Sequence, residues 1–546
     1  MPWREHRRYA VLVDAGSSGS RVQVYSWKDP LHARRFASSE QLRNLPHVEL
    51  GDELGLHWQM KQEPGISSFA SHPSSISEHL GPLLDFALSV IPASEVSRTP
   101  FYLFATAGVR LLEESERKAL LDAACAYVHA STSLYLPSCS DHVRAISGEQ
   151  EGIYGWIAVN YLMEGFHFKA KDLPSSSSHS LVGGSTYGFL DMGGASTQVA
   201  FAPDPHVAQA HAHDMTPVRL HTLGGEPVDW DVFVTTFLGF GTNEARRRHV
   251  EGLLDATNPS GSGPAHPEHL TRDAGAHIIH DPCLHAGLTL PYTLTEPPMA
   301  LRGTGRFQEC RSITMPLLNK TAPCESLPCL FNGVHAPEID FTRHRFIGVS
   351  EYWYSSHDVL GLGGAYDAEE YDGAAQQFCS RSWTDILAER KGGRYHSGVE
   401  LSRLQLQCFK AAWLSNVLHE GLGIPRHSAS EGPGLGSEGA SLPGSSPPFN
   451  HSIPAFQSVE AIGDIQVSWT LGAAILHALL VPPPEVTWVD EEEEHGNLSY
   501  LLWGLGLVAL WAAWVAWRVR SRKGRSLWPR GRRASFRPRK PYKMTV

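Results

Sequence analysis

Several things missing from the sequence exclude whole classes of protein. No C-x-x-C pair occurs in its 546 residues, and the histidines of HPEH, His266–His269, have poor ligand spacing, so a zinc finger or ribbon is set aside. The first eight residues, MPWREHRR, contain no apolar run of the kind found in a secretory leader. A later segment must therefore direct any translocation, or else the domain stays cytosolic. From Arg518 onward there is no Asp or Glu among twelve Lys and Arg, and taking those twelve charges out of the net −11 leaves −23 on everything before. An acidic body argues against nucleic acid as its partner. The chain is also too long for one compact core, which predicts two or more lobes.

What is present begins with LSYLLWGLGLVALWAAWVAW, Leu498–Trp517, twenty residues without a charge. As a helix this run spans the roughly 30 Å hydrocarbon core of a bilayer. DEEEE at Asp490–Glu494 precedes it and RVRSRKGR follows from Arg518, so the positive-inside rule predicts a cytosolic tail and a large domain across the membrane. Six of the eight cysteines fall in the second half, an even set that reads as disulfides in a non-cytosolic domain. CESLPC suits a short closure between Cys324 and Cys329. Cys283 with Cys310 and Cys379 with Cys408 are guessed as further pairs, while Cys125 and Cys139 either pair or stay free. Sequons at Asn319, Asn450 and Asn497 predict a glycoprotein. Ser-, Gly- and Pro-rich stretches from Asp172, Asn258 and His427 read as surface loops. Between them, apolar strands alternate with helical runs, which predicts an α/β architecture.

Two stretches nearly repeat each other. YAVLVDAGSSGSRVQVYSW, Tyr9–Trp27, and YGFLDMGGASTQVAFAPD, Tyr187–Asp204, both read as strand, tight turn, strand. In DAGSSGSR (Asp14–Arg21) and DMGGASTQ (Asp191–Gln198), glycines allow backbone N–H groups to converge on an anion. Ser17, Ser18 and Ser20 add hydroxyl donors. Two such cradles on facing lobes would hold two phosphates of one chain, or one terminal phosphate from two sides. An Asp opening each turn can hold a hydrated divalent cation, because Mg²⁺ keeps several waters and takes few carboxylates. A single turn of this kind is usually structural; two copies, each between strands, point to a site.

Two more stretches join them. FYLFATAGVRLL, Phe101–Leu112, is a buried strand ending at Thr106 and Arg110, a hydroxyl and a cation able to reach a phosphate or an attacking water. In ISGEQEGIYGWIAVNYL, Ile146–Leu162, Glu149 and Glu151 precede an apolar helix, where negative charge is favourable in any case. In chain order, DAGSSGSR, ATAGVR, SGEQEGIYGW and DMGGASTQ resemble the first four characteristic regions of the apyrase family, the nucleoside triphosphate diphosphohydrolases. FIGVSEYWYSSHDVLGLGG, Phe346–Gly364, resembles the fifth, and GDIQVSWTLGAAILH, Gly463–His477, resembles the closing segment with its Trp469. The likeness runs from about Tyr9 to His477 and is strongest to fungal Golgi apyrases and Golgi uridine diphosphatases.

The resemblance implies two actin-like, ribonuclease-H-type lobes with a nucleotide cleft between them, plus one C-terminal transmembrane helix. The expected organisation is an N-terminal lobe over 1–160, a second lobe with disulfides and insertions over 161–465 and a closing segment over 466–480. A stalk over 481–497, the helix over 498–517 and a basic tail over 518–546 follow. Glu151, not Glu149, is implied as the catalytic base, with Ser196 and Gln198 also holding the attacking water. Ser17, Ser18, Gly19, Ser20, Thr106, Gly193, Gly194 and Ala195 are implied to bind phosphate, and Asp14 and Asp191 to hold Ca²⁺ or Mg²⁺ through water. Tyr354 is implied to stack on the base, while Tyr352 and Trp353 are assigned to the core by alternation.

The implied activity is cation-dependent hydrolysis of UDP, GDP, ADP or ATP by direct attack of water, without a phosphorylated enzyme. The implied place is the Golgi membrane, single-pass with the catalytic domain lumenal, clearing UDP or GDP left by glycosylation. The basic tail is a topology determinant or binds lipid or a regulatory partner. Two other readings share these motifs: an exopolyphosphatase, and a non-catalytic actin-like nucleotide-binding module. YGW after Glu151 and the fifth region favour the apyrase over the first, and Glu151 itself counts against the second.

Overall fold

The structure is a computed structural model describing residues 2–52, 58–166, 186–257, 270–273, 276–292, 299–426, 454–463 and 465–480. Met1–Pro483 holds the first, compact unit, and every residue of Pro484–Val546 lies outside the described residues. The stalk, the uncharged run Leu498–Trp517, the basic tail, Asn450 and Asn497 lie outside the described residues, as do the loop from His427, Asn258–His269 and most of the loop from Asp172. Among the described residues no helix is long and apolar enough to cross a membrane.

Two sheets organise the first unit. Strands β1 (Arg7–Ala15), β2 (Ser20–Lys28), β3 (Val48–Leu50), β4 (Gln59–Gln62), β5 (Phe101–Ala105) and β6 (Val143–Ala145) build one, in the order β3-β2-β1-β5-β6 with β4 also on β2. The second uses β7 (Gly188–Met192), β8 (Ser196–Phe201), β9 (Met215–His221) and β10 (Pro227–Leu238). A small inserted sheet of β11 (Leu270–Asp273), β12 (Ala276–Asp281), β13 (Thr289–Tyr292) and β14 (Met299–Gly303) follows. β15 (Phe346–Ser350), β16 (Gly364–Ala365) and β17 (Phe456–Ser458) complete the second sheet, ordered β16-β17-β15-β7-β8-β10-β9.

The repeat seen in the sequence is a repeat in topology. β1 and β2 form an antiparallel hairpin with β5 parallel to β1; β7 and β8 form another with β15 parallel to β7. In register, Asp14 sits opposite Arg21 and Asp191 opposite Gln198.

Alternation explains how both sheets are covered. Tyr9, Val11, Val13 and Ala15 of β1 face a core shared with the helices Ile76–Val90 and Glu114–Ser131, whereas Ala10 and Leu12 face a different one. That other core also takes Phe189, Ala200, Val234 and Ile347 from the second sheet, so the sheets share a middle layer. Two helices fill it: Gly148–Leu162 lies on β7, β8 and β10, and Trp469–Ala478 lies on β1, β2 and β3. They pack tightly against each other, since a Cβ on Gly472 would fall 1.9 Å from the Tyr154 carbonyl oxygen. Tyr25 of β2 and Thr470 share a buried hydroxyl contact at 2.8 Å, fixing the second helix to the first sheet. Fully buried Trp156, Ile157, Leu471 and Ile475 fill this layer, each contributing on the order of 1.5–3 kcal/mol.

All eight cysteines pair: Cys125–Cys139, Cys283–Cys310, Cys324–Cys329 and Cys379–Cys408. The guessed pairs form, and the alternative left open for Cys125 and Cys139 resolves to a bond.

Candidate active site

A cleft of about 640 Å³ opens where the two hairpin turns meet. The turns face each other at close range: a Cβ on Gly194 would lie 2.7 Å from Ser17 Oγ. Each turn is pinned by its own backbone, Gly16 N–H to the Gly19 carbonyl and Gly193 N–H to the Ser196 carbonyl, both at 3.0 Å. The first N–H groups of the helix Thr242–Thr257 brace the second turn, Thr242 donating to the Gly193 carbonyl and Asn243 and Glu244 to that of Gly194. Gly241 abuts the same turn so closely that a Cβ there would fall 2.5 Å from Ala195 N.

Ser17, Ser18, Gly19, Thr106, Gly193, Gly194 and Ala195 line this cleft, with Asp14, Asp191, Glu151, Ser196 and Tyr354. Ser20 belongs to the same wall, but its hydroxyl pairs with buried His79 Nε2 at 2.7 Å rather than serving as an open donor. The reason is alternation, since Ser20 begins β2 on the side of Val22 and Val24. Gln198, opposite Asp191, is buried behind the wall; its amide donates to Ser196 Oγ (2.6 Å) and Glu151 Oε2 (3.1 Å).

Glu151 is in the first turn of its helix, which starts at a capping box between Ser147 and Gln150. Glu149, two residues earlier, is exposed, and the helix turns Glu151 inward onto the second sheet. Small residues permit that approach: a Cβ on Gly152 would lie 2.7 Å from Val234 Cγ2, and one on Gly155 2.1 Å from Phe189 Cε1. Glu151 Oε2 accepts from Arg110 Nη1 at 3.0 Å and Nη2 at 3.1 Å. Arg110, expected to reach phosphate or water, is committed to Glu151, to the Ile146 carbonyl (3.0 Å) and to Ser196 Oγ (3.2 Å). Burial pushes the Glu151 carboxyl up to about 8, Arg110 opposing this and the charges of Asp191 and Asp14 adding to it.

Each of the two Asp carboxylates has one buried oxygen left without a partner. Burial and the charge of Asp191 push Asp14 up to about 7, against Arg21 and a hydrogen bond from Trp469. Asp191 is raised by burial to about 6, against a hydrogen bond from Ser350. Oδ1 of each is shut off from solvent with no hydrogen-bond partner. Paired, unpartnered carboxylate oxygens are the donor set of a hard divalent cation, so the residues fit one. Ser350 sits at φ +58°, ψ −121°, a conformation that costs a non-glycine residue on the order of 1–3 kcal/mol. It connects the end of β15 to Asp191.

On the far side, Tyr354 is half-buried and the Arg403 guanidinium lies 5.1 Å above its ring. Buried Glu351 holds that arginine at 2.7 Å and Lys410 at 2.9 Å. Tyr352 is core, as alternation predicted, but Trp353 is half-buried, lines the cleft and stacks on His357 with centroids 4.2 Å apart. The segment is helical from Glu351, so the alternation of β15 stops before it. Ser350 and Glu351 lie inside the fifth stretch and could have been flagged by it, whereas Arg403 was missed because no local pattern marks it.

A family model described as GDA1/CD39 (nucleoside phosphatase) family matches residues 1–485. The chain belongs to the GDA1/CD39 family. This GDA1/CD39 enzyme is 38% identical over 476 residues to the Golgi apyrase of Saccharomyces cerevisiae, covering 86% of this chain and 70% of that one. It is 36% identical to the Golgi apyrase of Schizosaccharomyces pombe (86% and 75% covered) and 34% identical to the nucleoside-diphosphatase mig-23 of Caenorhabditis elegans (88% and 78%). The GDA1/CD39 chain shares its α/β fold with the crystal structure of nucleoside triphosphate hydrolases from Neospora caninum, at a TM-score of 0.51 and 14% identity over 87% of this chain and 93% of that one.

Proposed function

We propose that this enzyme hydrolyses the terminal phosphate of nucleoside di- and triphosphates by direct attack of water, with Glu151 as general base. The observation that carries this is one buried carboxylate oxygen, Glu151 Oε2, held beside Ser196 and Gln198 at the junction of two glycine turns. A water bonded to Glu151 and Ser196 would be fixed in position, and a carboxyl poised near neutrality is a strong acceptor for its proton. Backbone N–H groups of Gly19, Gly194 and Ala195, with the Ser17, Ser18 and Thr106 hydroxyls, would supply donors for phosphate oxygens, whereas the Gly193 N–H is engaged by the Ser196 carbonyl. Asp14 and Asp191 would hold a hydrated Ca²⁺ or Mg²⁺. When bound, the cation offsets charge accumulating on the phosphate oxygens. Tyr354 and Trp353 offer ring faces to a base.

The reading extends to two actin-like lobes, with the helix Gly148–Leu162, which the 1–160 division assigns to the N-terminal lobe, packed on the second sheet and the helix Trp469–Ala478 closing the middle layer. It extends also to a C-terminal membrane anchor and to clearance of UDP or GDP in the Golgi lumen, supported by the names of the fungal relatives and by four disulfides. The test is phosphate release from UDP, GDP, ADP, the triphosphates and polyphosphate, with Ca²⁺, with Mg²⁺ and with chelator. Cation-dependent release from nucleotides, cut about 10²–10⁴-fold in Glu151→Gln, is expected. Polyphosphate as the sole substrate, or a fully active Glu151→Gln, would overturn the reading.

A further inference from the structure

We propose that His211, Asp214 and His335 form a second metal site, outside the cleft, for a transition ion of the Zn²⁺ class. The cluster lies where the segment after β8 meets the loop closed by Cys324–Cys329. His211 follows the short helix Pro205–Ala210, and Asp214 ends the turn Ala212–Asp214. His335 bridges through its backbone to Cys329. His211 Nδ1 and His335 Nε2 stand 3.1 Å apart, and Asp214 Oδ2 stands 3.8 Å from the first and 3.6 Å from the second. An ion with tetrahedral bonds of about 2.0–2.2 Å separates its donors by about 3.3–3.6 Å. Three donor atoms from two distant parts of the chain thus already outline one face of such a tetrahedron.

The histidine tautomer supports the same reading. His335 Nδ1 lies 2.6 Å from the Ser326 carbonyl oxygen and 2.9 Å from that of Pro328. A carbonyl can only accept, so Nδ1 carries the proton and Nε2 keeps its lone pair, aimed at the other two donors. Metal-bound histidines are oriented by outer contacts of this kind. Two imidazoles and one carboxylate suit Zn²⁺ and its neighbours, whereas Ca²⁺ and Mg²⁺ take oxygen donors such as Asp14 and Asp191. The side chains are 25% (His211), 42% (Asp214) and 16% (His335) exposed, which leaves an entry path and a fourth position for water. The ion would fasten the disulfide loop to the segment after β8. Binding only the folded chain, it would stabilise that fold.

The test uses the full-length chain, stripped with chelator and titrated with Zn²⁺ and with Co²⁺, beside Asp214→Asn and the double variant His211→Ala/His335→Ala. The parent is expected to bind one more Zn²⁺ per chain than the double variant, to show the intense visible bands of four-coordinate Co²⁺, and to gain Tm with Zn²⁺ but not with Ca²⁺. Unchanged nucleotide hydrolysis would show that the variants fold. Equal Zn²⁺ stoichiometry in parent and variants, or a parent Co²⁺ spectrum of six-coordinate type alone, would overturn the site and leave a His–His hydrogen bond. Should the double variant not fold, the exposed Asp214→Asn and the parent's Co²⁺ spectrum decide the question.

Discussion

At Glu151 two opposing influences meet: burial and two nearby carboxylates favour the protonated form, and Arg110 favours the charged one. A base works only when ionised, so the acid limb of a kcat profile should follow this group. Arg110→Met removes the cation and raises the carboxyl pKa, which should move that limb to higher pH. Activity lost at pH 7 should then partly return in alkaline buffer, whereas Glu151→Gln should be slow at every pH. A profile of Arg110→Met that is depressed without moving would mean that Arg110 does not set the charge of Glu151. Sequence alone distinguished Glu151 from Glu149 through resemblance, and the helix explains the choice by turning one inward. It did not find the partner of Arg110, which is 41 residues away, because nothing local encodes that pairing.

Among the elements, the helix Thr242–Thr257 has two tasks. Its N-terminus braces the second glycine turn, and its middle carries Arg246 and His249 to buried Asp281 at the end of β12 (2.7 and 3.1 Å). Burial alone would raise the Asp281 carboxyl, but Arg246 and His249 outweigh it and hold the group well below its usual range. A carboxylate depressed in this way stabilises the fold fully above its unfolded pKa of about 4, and the contribution is lost as pH falls below that. Urea midpoints should therefore drop on acidification more steeply in the parent than in Asp281→Asn, which should already be less stable at pH 7. Gly241→Ala would drive a Cβ into the backbone of Gly193–Ala195. Phosphate release should fall at least tenfold, with a stability loss of about 1–3 kcal/mol by urea titration. Both hairpins were legible because strand, turn and strand are local patterns. The assignment of Trp353 failed because a strand's alternation was carried past the point where β15 becomes helix.

For the whole molecule, the last described helix is structural rather than peripheral. Trp469–Ala478 supplies Leu471 and Ile475 to the middle layer, and Trp469 reaches Asp14. Chains ending after Leu480 should fold and release phosphate, while chains ending before Ser468 should be insoluble or inactive, as circular dichroism and a phosphate assay would show. The repeated hairpin could be read from sequence. Which sheet carries the helix Gly148–Leu162 could not, because the chain arrives from one sheet and the glycines that seat it on the other are silent until Phe189 and Val234 are in place. That crossing has a further consequence. Glu151, Ser196 and Gln198 all ride on the second sheet as one cartridge, while Ser17, Ser18 and Thr106 belong to the first. On the proposed function, a nucleotide held by the first wall alone would meet no primed water, so hydrolysis would need both walls at once, and Arg110, which follows β5 of the first sheet and bonds Glu151 and Ser196 on the second, ties them together.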